Sequence, residues 1–213
     1  MKDALSGLVL LALMGGGCGK GDAPGPMHGG DAGTMMGGGG QHMDMGAMGT
    51  MMMQHLGPAD SGYDARFIAM MIPHHEGAVM MAKDALVHAT RPELKELAKS
   101  VITSQEQEIA TMKQWQSAWA GGTDNGMMGK PMMDKMSGMG RDMTAMLRPA
   151  DADYEGRFID AMIPHHQSAL AMANDALGKA TRPELKEFAR SIIASQQIEI
   201  ERMSNWRKLW AKR

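Results

Sequence analysis

The string Met-Ile-Pro-His-His occurs twice, at residues 71–75 and 162–166. Each copy sets two imidazoles close to a thioether. Imidazole suits copper, zinc, iron and nickel, whereas thioether sulfur is soft and selects Cu(I), with Ag(I) by extension. Methionine binds without losing a proton, so it remains a ligand in compartments where cysteine is oxidised. The combination favours copper over calcium or magnesium. It also disfavours a closed zinc site, which would want cysteines or more histidines.

The two strings belong to a longer repeat. An offset of 91 residues holds without a gap from Asp60/Asp151 to Trp119/Trp210 and pairs Tyr63 with Tyr154, Phe67 with Phe158, Thr90 with Thr181, Glu108 with Glu199 and Trp115 with Trp206. A repeat of this length is a duplicated structural unit.

Each unit reads as two helices. The first covers about 59–89, with Asp60 or Ser61 able to cap its start. Pro73 lies well inside and predicts a kinked but continuous helix. The second opens at Thr90-Arg91-Pro92-Glu93, a threonine followed three places on by glutamate, and Thr181 to Glu184 repeats this reciprocal capping pattern. Down the second helix runs a seam of Leu94, Ala98, Val101, Gln105, Glu108, Met112, Trp115 and Trp119, mirrored by Leu185, Ala189, Ile192, Gln196, Glu199, Met203, Trp206 and Trp210. Steps of four and three put such a stripe against a neighbouring helix. Strand signals are absent, because β-branched residues never alternate. One hairpin buries too little alone, so two hairpins should share a core as an all-α four-helix bundle.

The hairpin geometry predicts which side chains meet. Both helices rise about 1.5 Å per residue, so residues equally far from the turn lie level. His74 stands 16 residues before Thr90 and Glu106 stands 16 after it, which sets Gln105 and Glu108 level with the histidine pair. Met71 falls near Ile109 to Met112. Met71, His74, Ala78 and Met81 share one stripe, as do Met162, His165, Ala169 and Met172. The candidate ligands are therefore Met71, His74, His75, Met81, Glu108 and Met112, with Met162, His165, His166, Met172, Glu199 and Met203. The plainer alternative is a buried network in which His74 bonds Glu108 without any metal, Met81 and Met112 fill the core, and the tryptophans pack the bundle.

Methionine is overrepresented, at 27 of 213 residues; nine lie between Cys18 and Pro58 and eight between Gly121 and Leu147. Composition divides the chain into a secretory signal over 1–17, a flexible Met/Gly/His-rich tether over 18–58, a first hairpin over 59–120, a Met/Gly-rich linker over 121–148 and a second hairpin over 149–213. Part of the linker, near Lys135 to Leu147, has helical potential. The apolar run 4–14 is shorter than the roughly 20 residues that span a bilayer, and it precedes three glycines and Cys18, the single cysteine. That placement resembles the lipid-attachment cysteine of bacterial lipoproteins, and it leaves no internal disulfide. A net charge of −2 with no basic block excludes a nucleic-acid partner.

Phe67, Met71 to His75, Ala78, Met81-Ala82, Pro92 to Leu94, Gln105, Glu108-Ile109, Met112 and Trp115 resemble the signature of the domain-of-unknown-function family 305, and the second copy matches equally. The resemblance covers roughly 60–120 and 151–211. It implies a ferritin-like helical bundle that is exported, with some members tied to copper binding and resistance. The copies differ at Met70/Ala161, Glu76/Gln167 and Met80/Ala171, so two metal sites would not be equal. The expectation is a copper-binding protein of the cell envelope, not an enzyme. It would be anchored to the membrane through Cys18 and would sequester or carry Cu(I), with Cu(II) or Ag(I) as other ions and copper-handling envelope proteins as partners. The rivals are a metal-free envelope interaction module and a ferritin-like metal-dependent oxidase. A di-iron oxidase wants a carboxylate from each of four helices, and only Glu108 and Glu199 are well placed.

Overall fold

The computed structural model describes residues 45–119, 138 and 140–210. Among them the regular elements are all helices: α1 (Met45–Leu56), α2 (Tyr63–His88), α3 (Pro92–Trp119), a short α4 over 140–146, α5 (Tyr154–Lys179) and α6 (Pro183–Trp210). Helices α2 and α3 form one hairpin and α5 and α6 the other, and α2 packs on α5 to join them. Both turns are tight for the same reason. The chain leaves the helix at Ala89 and Ala180, both extended at ψ 142, and three residues later Pro92 and Pro183 take the first helical position, where a missing N–H costs nothing.

Pro73 and Pro164 lie inside α2 and α5, which run on through them. The seam also forms as its period demands: Leu94, Ala98, Val101, Gln105 and Met112 are buried, and Glu108, Trp115 and Trp119 are half-buried at its edge.

The core comes in two apolar clusters related by the repeat. One gathers Phe67, Met71, Met112, Met172, Leu185 and Ile192; the other gathers Phe158, Met162, Met203, Met81, Leu94 and Val101. Burying one such side chain stabilises by about 1.5–3 kcal/mol. Each cluster is closed by a stacked tryptophan pair, with Trp115 and Trp119 at 5.1 Å and Trp206 and Trp210 at 5.4 Å between ring centroids.

The tether ends earlier than composition indicates. Residues 45–56 are helix α1, which packs on α5 and α2. Met52 and Leu56 are fully buried, and so, within 1%, are Met143 and Leu147 around α4. These pairs are 91 residues apart, as are Gly49 and Gly140. The repeat therefore includes a third, short helix in each copy. The second of these lies where the sequence shows helical potential, near Lys135 to Leu147; low-complexity composition hides the first, where glycine serves close packing, since a Cβ on Gly49 would already touch Cβ of Ser168 at 3.5 Å. The proposed signal over 1–17, Cys18 and most of the central linker lie outside the described residues.

The helix starts are capped differently from the sequence expectation. Gly62 holds the N-cap position of α2 without a side-chain hydrogen bond, and Asp60 instead accepts from the Gly62 amide and pairs with Arg66. At α3 the carboxylate of Glu155, from the other hairpin, accepts from the Thr90 amide (2.7 Å), the Thr90 hydroxyl (2.7 Å) and the Arg91 amide (3.3 Å). Asp64 does the same for Thr181 and Arg182 at α6. An anion at a helix N-terminus meets the positive end of the macrodipole. Burial pushes the Glu155 carboxyl up, but its bonds to Thr90 outweigh this and hold it below the usual range. Glu93 and Glu184 lie on the exposed face instead of closing a local capping box, because a carboxylate from the partner hairpin has taken the donors. These crossed caps fix the register of the two hairpins.

Candidate metal site

Residues 74 and 75 are about 100° apart around α2, so they face different neighbours. His75 looks toward its own hairpin partner, and its Nε2 lies 2.7 Å from Oε2 of Glu108 on α3. His166 repeats this with Glu199 on α6, also at 2.7 Å. His74 points across the bundle, where its ring lies 3.8 Å from that of His165 by centroids, tilted by 34°. The alternative in which His74 bonds Glu108 is thus corrected to His75.

All four histidines are at least 97% buried. Burial first, and the neighbouring imidazoles second, hold His74 and His165 well below the ordinary histidine value, so both are neutral. The hydrogen bonds then specify the tautomers. A carboxylate accepts, so Nε2 of His75 and of His166 donates. The Ser168 hydroxyl donates to the His165 carbonyl at 2.7 Å and therefore accepts from Nε2 of His74 at 2.6 Å. In these three rings the Nδ1 lone pair is left buried and without a partner.

Buried side-chain polar atoms without a hydrogen-bond partner concentrate in this layer. Among the described residues they are Nδ1 of His74, His75, His165 and His166, both amide atoms of Gln105, and the amide oxygen of Gln196. Native proteins satisfy nearly all such groups, and each one left unmade costs about 1–3 kcal/mol. Seven orphans at one level, contributed by both copies, are what a ligand would be expected to satisfy. A histidine whose second nitrogen donates to a carboxylate is also the arrangement that orients metal-binding imidazoles.

The site is not a finished cage. Among the described residues no three His, Cys, Asp or Glu side chains converge as a ready ligand set. Glu108 and Glu199 are engaged on the far nitrogens of His75 and His166, which places them behind the imidazoles. The thioethers flank the layer on both sides: Met71, Met112 and Met172 lie in one apolar cluster, and Met81, Met162 and Met203 in the other. All six are fully buried.

Two sulfurs near the layer escaped the sequence reading. Sδ of Met143 lies 3.6 Å from the point where a Cβ on Gly77 would sit, and Nε2 of His165 lies 3.5 Å from that same point. Sδ of Met80 lies 2.9 Å from the corresponding point on Gly140. Met143 falls in the segment that composition reads as linker. Extending the 91-residue offset upstream, through Gly49/Gly140 and Met52/Met143, is the signal that finds it.

A family model for a domain of unknown function, DUF305, matches residues 19–116 and 64–207. Among solved structures, CopM in its Cu(II)-bound form is 40% identical, with a TM-score of 0.58 over 69% of this chain and 97% of that one. CopM in its Cu(I)-bound form is 35% identical, with a TM-score of 0.56 over 69% and 96%. CopM has also been solved with silver bound. A DUF305 fragment from Deinococcus radiodurans is 28% identical, with a TM-score of 0.58 over 71% of this chain and 98% of the fragment. The uncharacterized protein L153 of Acanthamoeba polyphaga mimivirus is 37% identical over 49 residues, 23% of this chain, and the match spans about a third (32%) of that relative. The duplicated helical unit, the histidine layer and the family model covering most of the chain agree: it belongs to the DUF305 family.

Proposed function

We propose that this chain is an exported copper-binding protein that sequesters or carries Cu(I) in the cell envelope, accepts Ag(I) as a soft surrogate, and catalyses no reaction. The observation that carries this reading is the set of four buried, unpartnered Nδ1 atoms in a layer between two methionine-rich clusters. Neutral imidazole and thioether are the donors that select Cu(I). His74, His75, His165 and His166 would supply nitrogen, and the flanking methionines would supply sulfur. Glu108 and Glu199 would orient His75 and His166 and raise their basicity. The kinship to CopM, solved with Cu(I), Cu(II) and silver, supports the same ion class. The apolar run 4–14 and Cys18 support export and a lipid anchor, with copper-handling envelope proteins as exchange partners.

The metal-free reading draws on the His75–Glu108 and His166–Glu199 bonds, which satisfy those four groups on one side only. It leaves the Nδ1 atoms unexplained. Titration of the full chain with Cu(I) against a competing chelator decides between the two. The wild type should withdraw Cu(I) from the chelator, and replacing all four histidines with alanine should abolish the competition. An unchanged stoichiometry in that variant would refute the site.

A further inference from the structure

Helices α3 and α6 close alike and then differ. Each ends on a stacked tryptophan pair whose second indole is covered by an arginine of the other hairpin. The Arg182 guanidinium lies 4.3 Å from the Trp119 ring centroid, and that of Arg91 lies 4.4 Å from the Trp210 centroid. Around these indoles the copies part. Where α3 has Thr111, Gln116, Ser117 and Ala118, α6 has Arg202, Arg207, Lys208 and Leu209. Residues 202–210 thus hold three cations and no acid in a chain whose net charge is −2, and Lys212 and Arg213 follow in the sequence.

The needs of the helix do not account for this. Cations near a helix C-terminus meet the negative end of the macrodipole, but α3 has the same dipole and no basic residue in its last turn. Nor do the needs of the bundle. Arg207 is held by Asp160 at 2.8 and 2.9 Å, whereas among the described residues Arg202 and Lys208 have no ion-pair partner. Leu209 is 61% exposed, so its apolar surface gains little from the core. Arg202 and Leu209 stand two turns apart on one solvent-facing stripe, with Lys208 to one side and the half-buried Trp206 to the other.

We propose that this tip of α6, made of Arg202, Trp206, Lys208, Leu209 and Trp210, is a docking surface for an anionic membrane. Indoles settle at headgroup level, an exposed aliphatic side chain enters the acyl boundary, and lysine and arginine are drawn to anionic headgroups. No described helix is long and apolar enough to cross a membrane, so the contact is with the surface. An acidic protein face would match the cations but would give the exposed leucine no apolar partner. The proposal is independent of the metal layer, since none of these side chains is a candidate ligand.

The test is sedimentation of the full, unacylated, metal-free chain with phosphatidylglycerol vesicles, with the blue shift of tryptophan emission as a second readout. The wild type should bind these vesicles and not phosphatidylcholine ones, and added salt should weaken the binding. Arg202→Thr/Lys208→Ser/Leu209→Ala gives α6 the residues that α3 carries at the equivalent positions, so the helix persists. Each cation near an anionic surface contributes about fivefold in affinity, so this variant should bind about 25-fold more weakly or worse. Lys83→Gln/Lys113→Gln removes two exposed cations from the first hairpin and should change affinity by less than about twofold. Equal losses in the two variants would reduce the contact to net charge and overturn the tip. So would a tip variant that binds like the wild type, or a wild type that binds neither vesicle. Tip-dependent binding to polyglutamate without binding to vesicles would replace the membrane with an acidic protein partner.

Discussion

Acid should weaken the metal-free protein at a pH set by two buried histidines. Burial, then the neighbouring imidazoles, depress the native pKa values of His74 and His165 well below the ordinary value of about 6.5. The unfolded chain therefore takes up protons that the native chain refuses. Their contribution is intact above pH 6.5 and is lost progressively as pH falls below it toward the depressed native values. One pH unit below the unfolded value, at pH 5.5, the pair should have lost about 3 kcal/mol relative to pH 7.5. For a folded region of this size each kcal/mol corresponds to roughly 2–4 °C, so the melting temperature should drop by about 6–12 °C. The carboxyls of Asp60, Asp151 and Glu155 are all held below their usual values and titrate outside this window. Scanning calorimetry at pH 7.5, 6.5 and 5.5 in the presence of a chelator gives the slope, and a His74→Gln/His165→Gln variant isolates the pair. A wild-type melting temperature no more pH-dependent than that of the variant would refute the reasoning.

The crossed caps and the glycine contacts give two further predictions. Glu155→Gln keeps the size of the side chain but removes the charge that accepts from Thr90 and Arg91. It should cost about 1–2 kcal/mol in denaturant unfolding, and a change under about 0.3 kcal/mol would show the cap to be incidental. Gly140→Ala would bring a Cβ to 3.3 Å from the Gly77 backbone, whereas Gly178→Ala meets nothing within 4 Å. The first should destabilise by about 1–3 kcal/mol and the second should stabilise by about 0.5–1 kcal/mol; melting curves showing equal effects would contradict the close helix approach.

Much of the fold was legible because a helical stripe constrains a sequence strongly. The seam from Leu94 to Trp119 had to face a partner, and levelling the two arms about Thr90 put Glu108 beside the histidine pair before any coordinates. What levelling cannot supply is azimuth. It fixes height along the bundle but not which of two adjacent histidines turns inward to its own hairpin, and so His74 was paired with Glu108 where His75 belongs. The caps failed for a related reason: Thr90 with Glu93 is a sound local pattern, but Glu155 competes for the same donors from 65 residues away, and no local rule sees it. Helix α4 falls inside the segment near Lys135 to Leu147 whose helical potential the sequence shows, whereas α1 is hidden by glycines, which lower helix propensity while permitting the backbone contact that holds it.

The layer's polarity makes sense only against its surroundings. Orphaned Nδ1 and amide atoms act against folding, each by about 1–3 kcal/mol, and a bundle with leucine in their place would be more stable. The protein tolerates them because two apolar clusters lie on either side, each completed by a methionine from a short helix, Met52 or Met143. Those added helices therefore serve two ends. They enlarge a core that two hairpins alone would leave thin, and one of them carries a thioether to the edge of the histidine layer. A ligand that satisfied the orphaned nitrogens would return the stability that their burial removes, so occupancy and folding should be coupled. The apo protein ought to be the less stable form even though its helices are already in place.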